Sequence, residues 1–109
     1  MTARNSPLRV VGAVAFRSGG LVYASKRPPG GRHGGLWEFP GGKVEPNETD
    51  ELALEREIFE ELGVSATVGH LLATGSDQDI ELHCYKVTFE DEPVPEPPRL
   101  GAWFSSAEL

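Results

Sequence analysis

The stretch TDELALEREIFEELG, Thr49 to Gly63, is bounded so sharply that one secondary structure suits it. Thr49 is a fair N-cap, because its side-chain oxygen can accept an orphan N–H of the first turn. Asp50 and Glu51 follow, where the helix dipole favours anions. Gly63 supplies the left-handed stop after Leu62. The spacing predicts one helix over Asp50–Leu62. At about 100° per residue, Leu54, Ile58 and Leu62 line up as its core stripe, and Leu52 and Phe59 are expected to widen the apolar side.

Around this helix the chain reads as strands. Leu8–Phe16 is apolar and β-branched enough for a buried strand. RSGG then turns the chain, and Leu21–Arg27 returns as the second arm of a hairpin. Pro28–Gly35 is read as a surface loop that includes His33. Leu36–Val44 reads as a short extended piece followed by a Pro-Gly-Gly turn. After the helix, ATVGHLLATG and IELHCYKVTFE are strand-like, EDEPVPEPPRLG is a Pro-rich loop, and AWF is a last short strand. Ser105 and Glu108 have capping-box spacing, as if opening a helix that the chain does not continue. The order predicts an α+β fold, an α/β/α sandwich around a central mixed sheet, with a C-terminal helix missing.

At 109 residues this is a single domain, residues 1–109, with one core. No apolar run reaches the ~18 residues of a membrane span, and the apolar N-terminal run ends in a turn, which favours a strand over a signal peptide. The lone Cys84 excludes an internal disulfide and is read as a buried strand residue; a reducing cytoplasm is the default. Residues 1–43 carry a net charge of +6 and residues 44–109 carry −13. A net-acidic chain is a poor nonspecific partner for nucleic acid. The asymmetry suits a polyphosphate held through divalent cations, and equally suits plain solvation.

Most charge runs are solvated helix faces, and Gly41–Val64, with eight carboxylates and two basic residues, starts from that reading. Its placement argues otherwise. Glu57, Glu60 and Glu61 share an arc of about 100° beside the core stripe, where like charges at i, i+3 and i+4 destabilise a helix. Gathered carboxylates are what hard cations such as Mg²⁺ or Mn²⁺ take. None of the three histidines has zinc-site spacing; His70 and His83 read as ordinary strand residues. Gly41 and Gly42 bring bare backbone near these acids, where a carbonyl could join a coordination sphere and a phosphate could approach; Pro-Gly-Gly is also simply a good turn.

From Gly42, five residues lead to Glu48 and seven more to Arg56-Glu57, followed by Ile58, Phe59, Glu60-Glu61, Leu62, Gly63 and Val64. This resembles the Nudix box, G-x5-E-x7-R-E-U-x-E-E-x-G-U with U aliphatic, at every specified position over residues 42–64. LWEFPGGKVE before it looks like the MutT-like branch, which hydrolyses nucleoside triphosphates to monophosphate and pyrophosphate with Mg²⁺ or Mn²⁺. The resemblance implies a loop-helix-loop on a mixed sheet between helices. It also implies Glu57, Glu60, Glu61 and the Gly41 carbonyl as metal ligands, with Glu48 a supporting carboxylate. Glu57 is the implied general base, and Arg56 orients a catalytic glutamate or forms a structural salt bridge. Glu57, Arg56 and Glu61 form the implied catalytic set. Arg27 is the implied phosphate contact, assisted by Lys26, which also reads as a strand-end charge. Glu38 and Phe39 lie where such enzymes wall the nucleotide pocket, with Gly42 beside the phosphates; Glu38 reads equally as solvated.

Two departures stand out. The branch often carries a further metal-binding or basic glutamate six residues before the tryptophan that Trp103 resembles; here Pro97 holds that place, and a one-residue slip would deliver Glu96 as a metal ligand. Relatives also continue into a helix whose preceding loop helps read the base, so base identity is not legible. The expected activity is Mg²⁺-dependent triphosphate hydrolysis that sanitises the nucleotide pool, with 8-oxo-dGTP a candidate substrate. Alternatives are a CTP-like, nucleotide-sugar or dinucleoside polyphosphate hydrolase, a non-catalytic nucleotide-binding module, and an inactive fragment of an enzyme. The partner expected is a small nucleotide rather than nucleic acid or membrane, for a monomer or homodimer.

Overall fold

A computed structural model describes residues 7–27, 29–30, 34–97 and 99–108; His33 and the first six residues lie outside these. The order of elements is β1 (Leu8–Arg17), β2 (Leu21–Lys26), β3 (Trp37–Glu38), β4 (Gly41–Lys43), α1 (Asp50–Leu62), β5 (Ala66–Asp77), β6 (Ile80–Phe89), β7 (Leu100–Ser105) and a 3₁₀ turn, Ser106–Glu108. No helix among the described residues is long and apolar enough to cross a membrane.

The helix has the predicted bounds, for the predicted reasons. The Leu52 N–H donates to the Thr49 hydroxyl oxygen at 3.1 Å. Gly63 takes a φ of 69° and donates its N–H to the Phe59 carbonyl at 2.9 Å. Leu54, Ile58 and Leu62 are fully buried, against Val11, Ala13 and Ala15 of β1, Tyr23 of β2 and Val87 of β6. The expected widening by Leu52 and Phe59 is overturned: they are 53% and 63% exposed, and buried Ala53 takes that part. At about 100° per residue, Leu52 and Phe59 lie some 150° around the helix from Leu54, on its far side.

The sheet is mixed. β1 runs parallel to β6 along Leu8–Ala15, and β5 extends the sheet antiparallel to β6. β2 pairs antiparallel with β7 along its whole length, and with β3 at Ser25 and Lys26. These two groups join at two residue pairs, Phe16 with Val22 and Arg17 with Leu21. Beyond the hairpin turn β1 and β2 separate, and the edge of β1 at Val10–Gly12 is taken by β4. The expected Pro-Gly-Gly turn is therefore a strand from Gly41 onward. The buried Pro40 offers its carbonyl to the Ala13 N–H at 2.8 Å. Gly41 is required next, since a Cβ there would fall on the Val11 carbonyl oxygen.

The α+β architecture matches the expectation, with a single α-helix on the sheet among the described residues. β7 is longer than AWF. It leads into the 3₁₀ turn, where the Ser105 N–H donates to Glu108 Oε1 at 2.6 Å, one half of the anticipated capping box.

Candidate functional site

The fork between β1 and β2 opens a cleft of about 700 Å³. Its floor comes from alternate strand residues, Val10 and Gly12 of β1 with Leu82 and Cys84 of β6, and Ala24 of β2 closes one side. Trp37 and Phe39 supply aromatic walls, and Glu57 and Glu61 reach the cleft from α1 beside Gly41 and Gly42. Arg27, Lys43 and Arg99 bring positive charge to the same space.

Glu57 and Glu61 are one turn apart on the buried side of the helix. Glu61 is held up to about 8, first by burial and then by its hydrogen bond and charge contact with Glu57, with Arg99 acting in the opposite sense. Two carboxylates forced together out of water must share a proton or a cation. Gly42 makes room for them: a Cβ there would land on the Glu57 carboxylate.

Arg56 holds the acids from behind. Its Nε and Nη2 donate to the two Glu48 oxygens at 2.7 and 3.0 Å, its Nη1 to Glu57 Oε2 at 3.0 Å, and Nη2 also to the Lys43 carbonyl at 3.1 Å. The bidentate guanidinium, helped by the Glu45 N–H, lowers the Glu48 carboxyl to about 2. Arg56 thus ties α1 to β4 and fixes the orientation of Glu57.

The other sequence-predicted residues fall variously. Arg27, Glu38, Phe39, Gly41 and Gly42 line the cleft. Lys26 does not, and its ammonium stands 6.0 Å from the centre of the Trp37 ring. Glu48 lies behind the cleft on Arg56. Glu60 is largely exposed, 3.4 Å from Arg56 Nη1. Glu96 is exposed outside the cleft, and its backbone N–H donates to the Glu61 carbonyl at 2.9 Å. Cys84, expected in the core, is instead half-buried on the cleft floor, because its place in β6 puts it opposite Gly12. Burial pushes its thiol pKa up.

Sequence reasoning missed Trp37, Leu82, Lys43 and Arg99. The period of two along β6 links Leu82 and Cys84 to one face, a signal present in the sequence once β6 is recognised. Arg99 comes from the Pro-rich loop, which has no periodicity to read.

Among the described residues, no three His, Cys, Asp or Glu side chains are gathered as a ready metal cage. The Glu57–Glu61 pair still fits a hard divalent cation. Mg²⁺ binds through one or two carboxylates and fills its octahedron with waters and substrate phosphates. An ion held there would replace a proton shared between the two carboxylates.

The NUDIX domain model matches residues 6–109. The chain belongs to the Nudix family. It is 45% identical over 84 residues to a CTP pyrophosphohydrolase of Escherichia coli K12, covering 73% of this chain and 62% of that protein. It is 46% identical over 71 residues to an 8-oxo-dGTP diphosphatase of Proteus vulgaris, covering 62% of this chain and 63% of that one. The chain thus spans under two thirds of both relatives. A solved MutT structure (Aliivibrio salmonicida and Vibrio cholerae) superposes with a TM-score of 0.83 at 31% identity, covering 93% of this chain and 82% of that one. The E. coli ORF135 protein does so with a TM-score of 0.75 at 34% identity, covering 94% and 76%. The Nudix box of this chain coincides with β4, α1 and the turns that flank them.

Proposed function

We propose that this Nudix chain hydrolyses nucleoside triphosphates to the monophosphate and pyrophosphate, with Mg²⁺ (or Mn²⁺) at Glu57 and Glu61, and serves nucleotide-pool sanitising. The observation that carries this reading is the half-buried Glu57–Glu61 pair packed against Gly42, facing a cleft with aromatic walls and arginines. A base can stack on Trp37 or Phe39 while the phosphates face the acids and Arg27.

The cation would neutralise phosphate charge and acidify the attacking water. Glu57, with one oxygen fixed by Arg56, presents the other as proton acceptor. Arg56 keeps that carboxylate from rotating, and Glu48 keeps Arg56 in place. Gly42 leaves the space that the Glu57 carboxylate itself fills, so the acid can lie flat against β4 at the cleft. Glu60, at the rim, could join the ligand set by a change of rotamer. The half-buried thiol of Cys84 suits a reducing cytoplasm.

The relative that acts on CTP favours a second reading, with a pyrimidine triphosphate as substrate. Both readings meet one test. Pyrophosphate and orthophosphate are measured from dGTP, 8-oxo-dGTP, dCTP, CTP and dATP with Mg²⁺. Pyrophosphate release from 8-oxo-dGTP supports the first reading, and a preference for CTP or dCTP the second. Absence of pyrophosphate from all five would overturn both.

A further inference from the structure

Glu38 is held between two arginines that come from different parts of the chain. Arg27 follows β2 and places Nη1 3.4 Å from Glu38 Oε2. Arg99, just before β7, places Nη1 3.8 Å from the same oxygen. Both distances exceed those of a good N–H···O bond. The guanidinium groups therefore face a shared carboxylate oxygen without being locked to it by close, bidentate bonds. All three residues line the cleft, together with Glu57 and Glu61.

Backbone bonds hold Arg99 in register with the carboxylate pair. The Val94 N–H donates to the Leu62 carbonyl at 2.8 Å, and the Glu96 N–H to the Glu61 carbonyl at 2.9 Å. The Arg99 N–H then donates to the Glu96 carbonyl at 2.9 Å. The loop is thereby tied to the end of the helix that carries Glu61. The Arg99 charge bears on Glu61 as well as on Glu38. Arg99, two residues after Pro97, is the charge that this loop brings to the cleft.

We infer that Arg99 is a second polyphosphate-binding residue of the cleft, acting with Arg27, and that Glu38 is the counter-ion displaced when the phosphates enter. This rests on the triphosphate reading of the site. Two planar guanidinium groups converging on one oxyanion are suited to the oxygens of a phosphate chain. A carboxylate held loosely between them keeps the pair from repelling in the free protein and competes with the incoming anion.

The test uses inorganic tripolyphosphate, which has no base or sugar, titrated by calorimetry at a fixed Mg²⁺ concentration. Adenosine and nucleoside monophosphates are titrated alongside. Arg99→Ala is expected to weaken tripolyphosphate at least tenfold and Arg99→Lys less, with adenosine unchanged. Glu38→Gln is expected to tighten tripolyphosphate severalfold, a gain that a purely structural Arg99–Glu38 pair would not produce. If Arg99→Ala does not fold, Arg99→Gln and Glu38→Gln carry the same comparison. The inference is overturned by unchanged tripolyphosphate affinity in the Arg99 variants, by equal losses for adenosine, or by no binding to the parent protein. Pyrophosphate release is followed in parallel. Turnover without an Arg99 effect defeats the inference alone, and Arg99-dependent binding without turnover defeats the hydrolase reading alone.

Discussion

Glu57 and Glu61 are half-buried, whereas Glu51, Glu55 and Glu60 of the same helix are exposed. Replacing either by Gln is expected to lower turnover by ~100-fold or more, as loss of a positioned proton acceptor or metal ligand does. Stability without metal should hold or rise above about pH 8, where both carboxylates are charged and the substitution removes their like-charge contact. Steady-state kinetics beside thermal melts check this, and lost turnover with a collapsed fold would make the residues structural. Glu61 also gives a pH dependence. Its folded value of about 8 lies above its ordinary 4.5, so the folded state binds an extra proton between these values. Glu61's own contribution to metal-free stability is therefore fully present below its ordinary value and is lost as pH rises through 8. Glu61→Gln should flatten the slope, and so should saturating Mg²⁺, which takes the proton's place. Melts from about pH 5 to pH 9 measure both.

At the scale of elements, β4 and the start of α1 test separate ideas. Gly42→Ala drives a Cβ into the Glu57 carboxylate, the end of a side chain that can move. It is expected to reduce activity strongly with little loss of stability. Gly41→Ala meets the Val11 backbone oxygen, which cannot give way, and should destabilise the sheet itself. Urea unfolding of the two variants separates these outcomes, and equal stability losses would contradict the assignment. The helix start is fastened to the sheet by Arg9, whose Nε and Nη2 donate to the two oxygens of Asp50 at 3.0 and 2.8 Å. The Tyr85 hydroxyl adds a bond to Asp50 Oδ2 at 2.5 Å. Asp50 is lowered below its ordinary value chiefly by Arg9. Its contribution is present above the ordinary aspartate range and lost as pH falls through the lower folded value. Arg9→Ala should therefore bring acid unfolding to a higher pH, followed by circular dichroism.

At the scale of the whole molecule, the proposed cation site would couple metal binding to folding, because Glu57 and Glu61 are drawn out of water together only when α1 is packed on the sheet. Mg²⁺ should raise the melting temperature with concentration, as any ligand of the folded state does. The gain should be lost in Glu61→Gln, while no shift at millimolar Mg²⁺, with and without nucleotide, would count against a metal site. The helix, its caps and the Leu54–Ile58–Leu62 stripe were legible in the sequence because capping and helical period are local properties. So was the arc of acids, because a 3.6-residue repeat fixes which side chains are neighbours. The resemblance implied that Arg56 orients a glutamate, and the structure added that it grips Glu48 as well as Glu57. Tertiary structure alone decided that β1 and β2 part after two residue pairs, that β4 fills the edge of β1, and that Cys84 faces a cleft. It alone brought Arg99 to Glu38 across a Pro-rich loop. Strand partnership and loop path arise from contacts between residues far apart in the chain, and no short-range period encodes them.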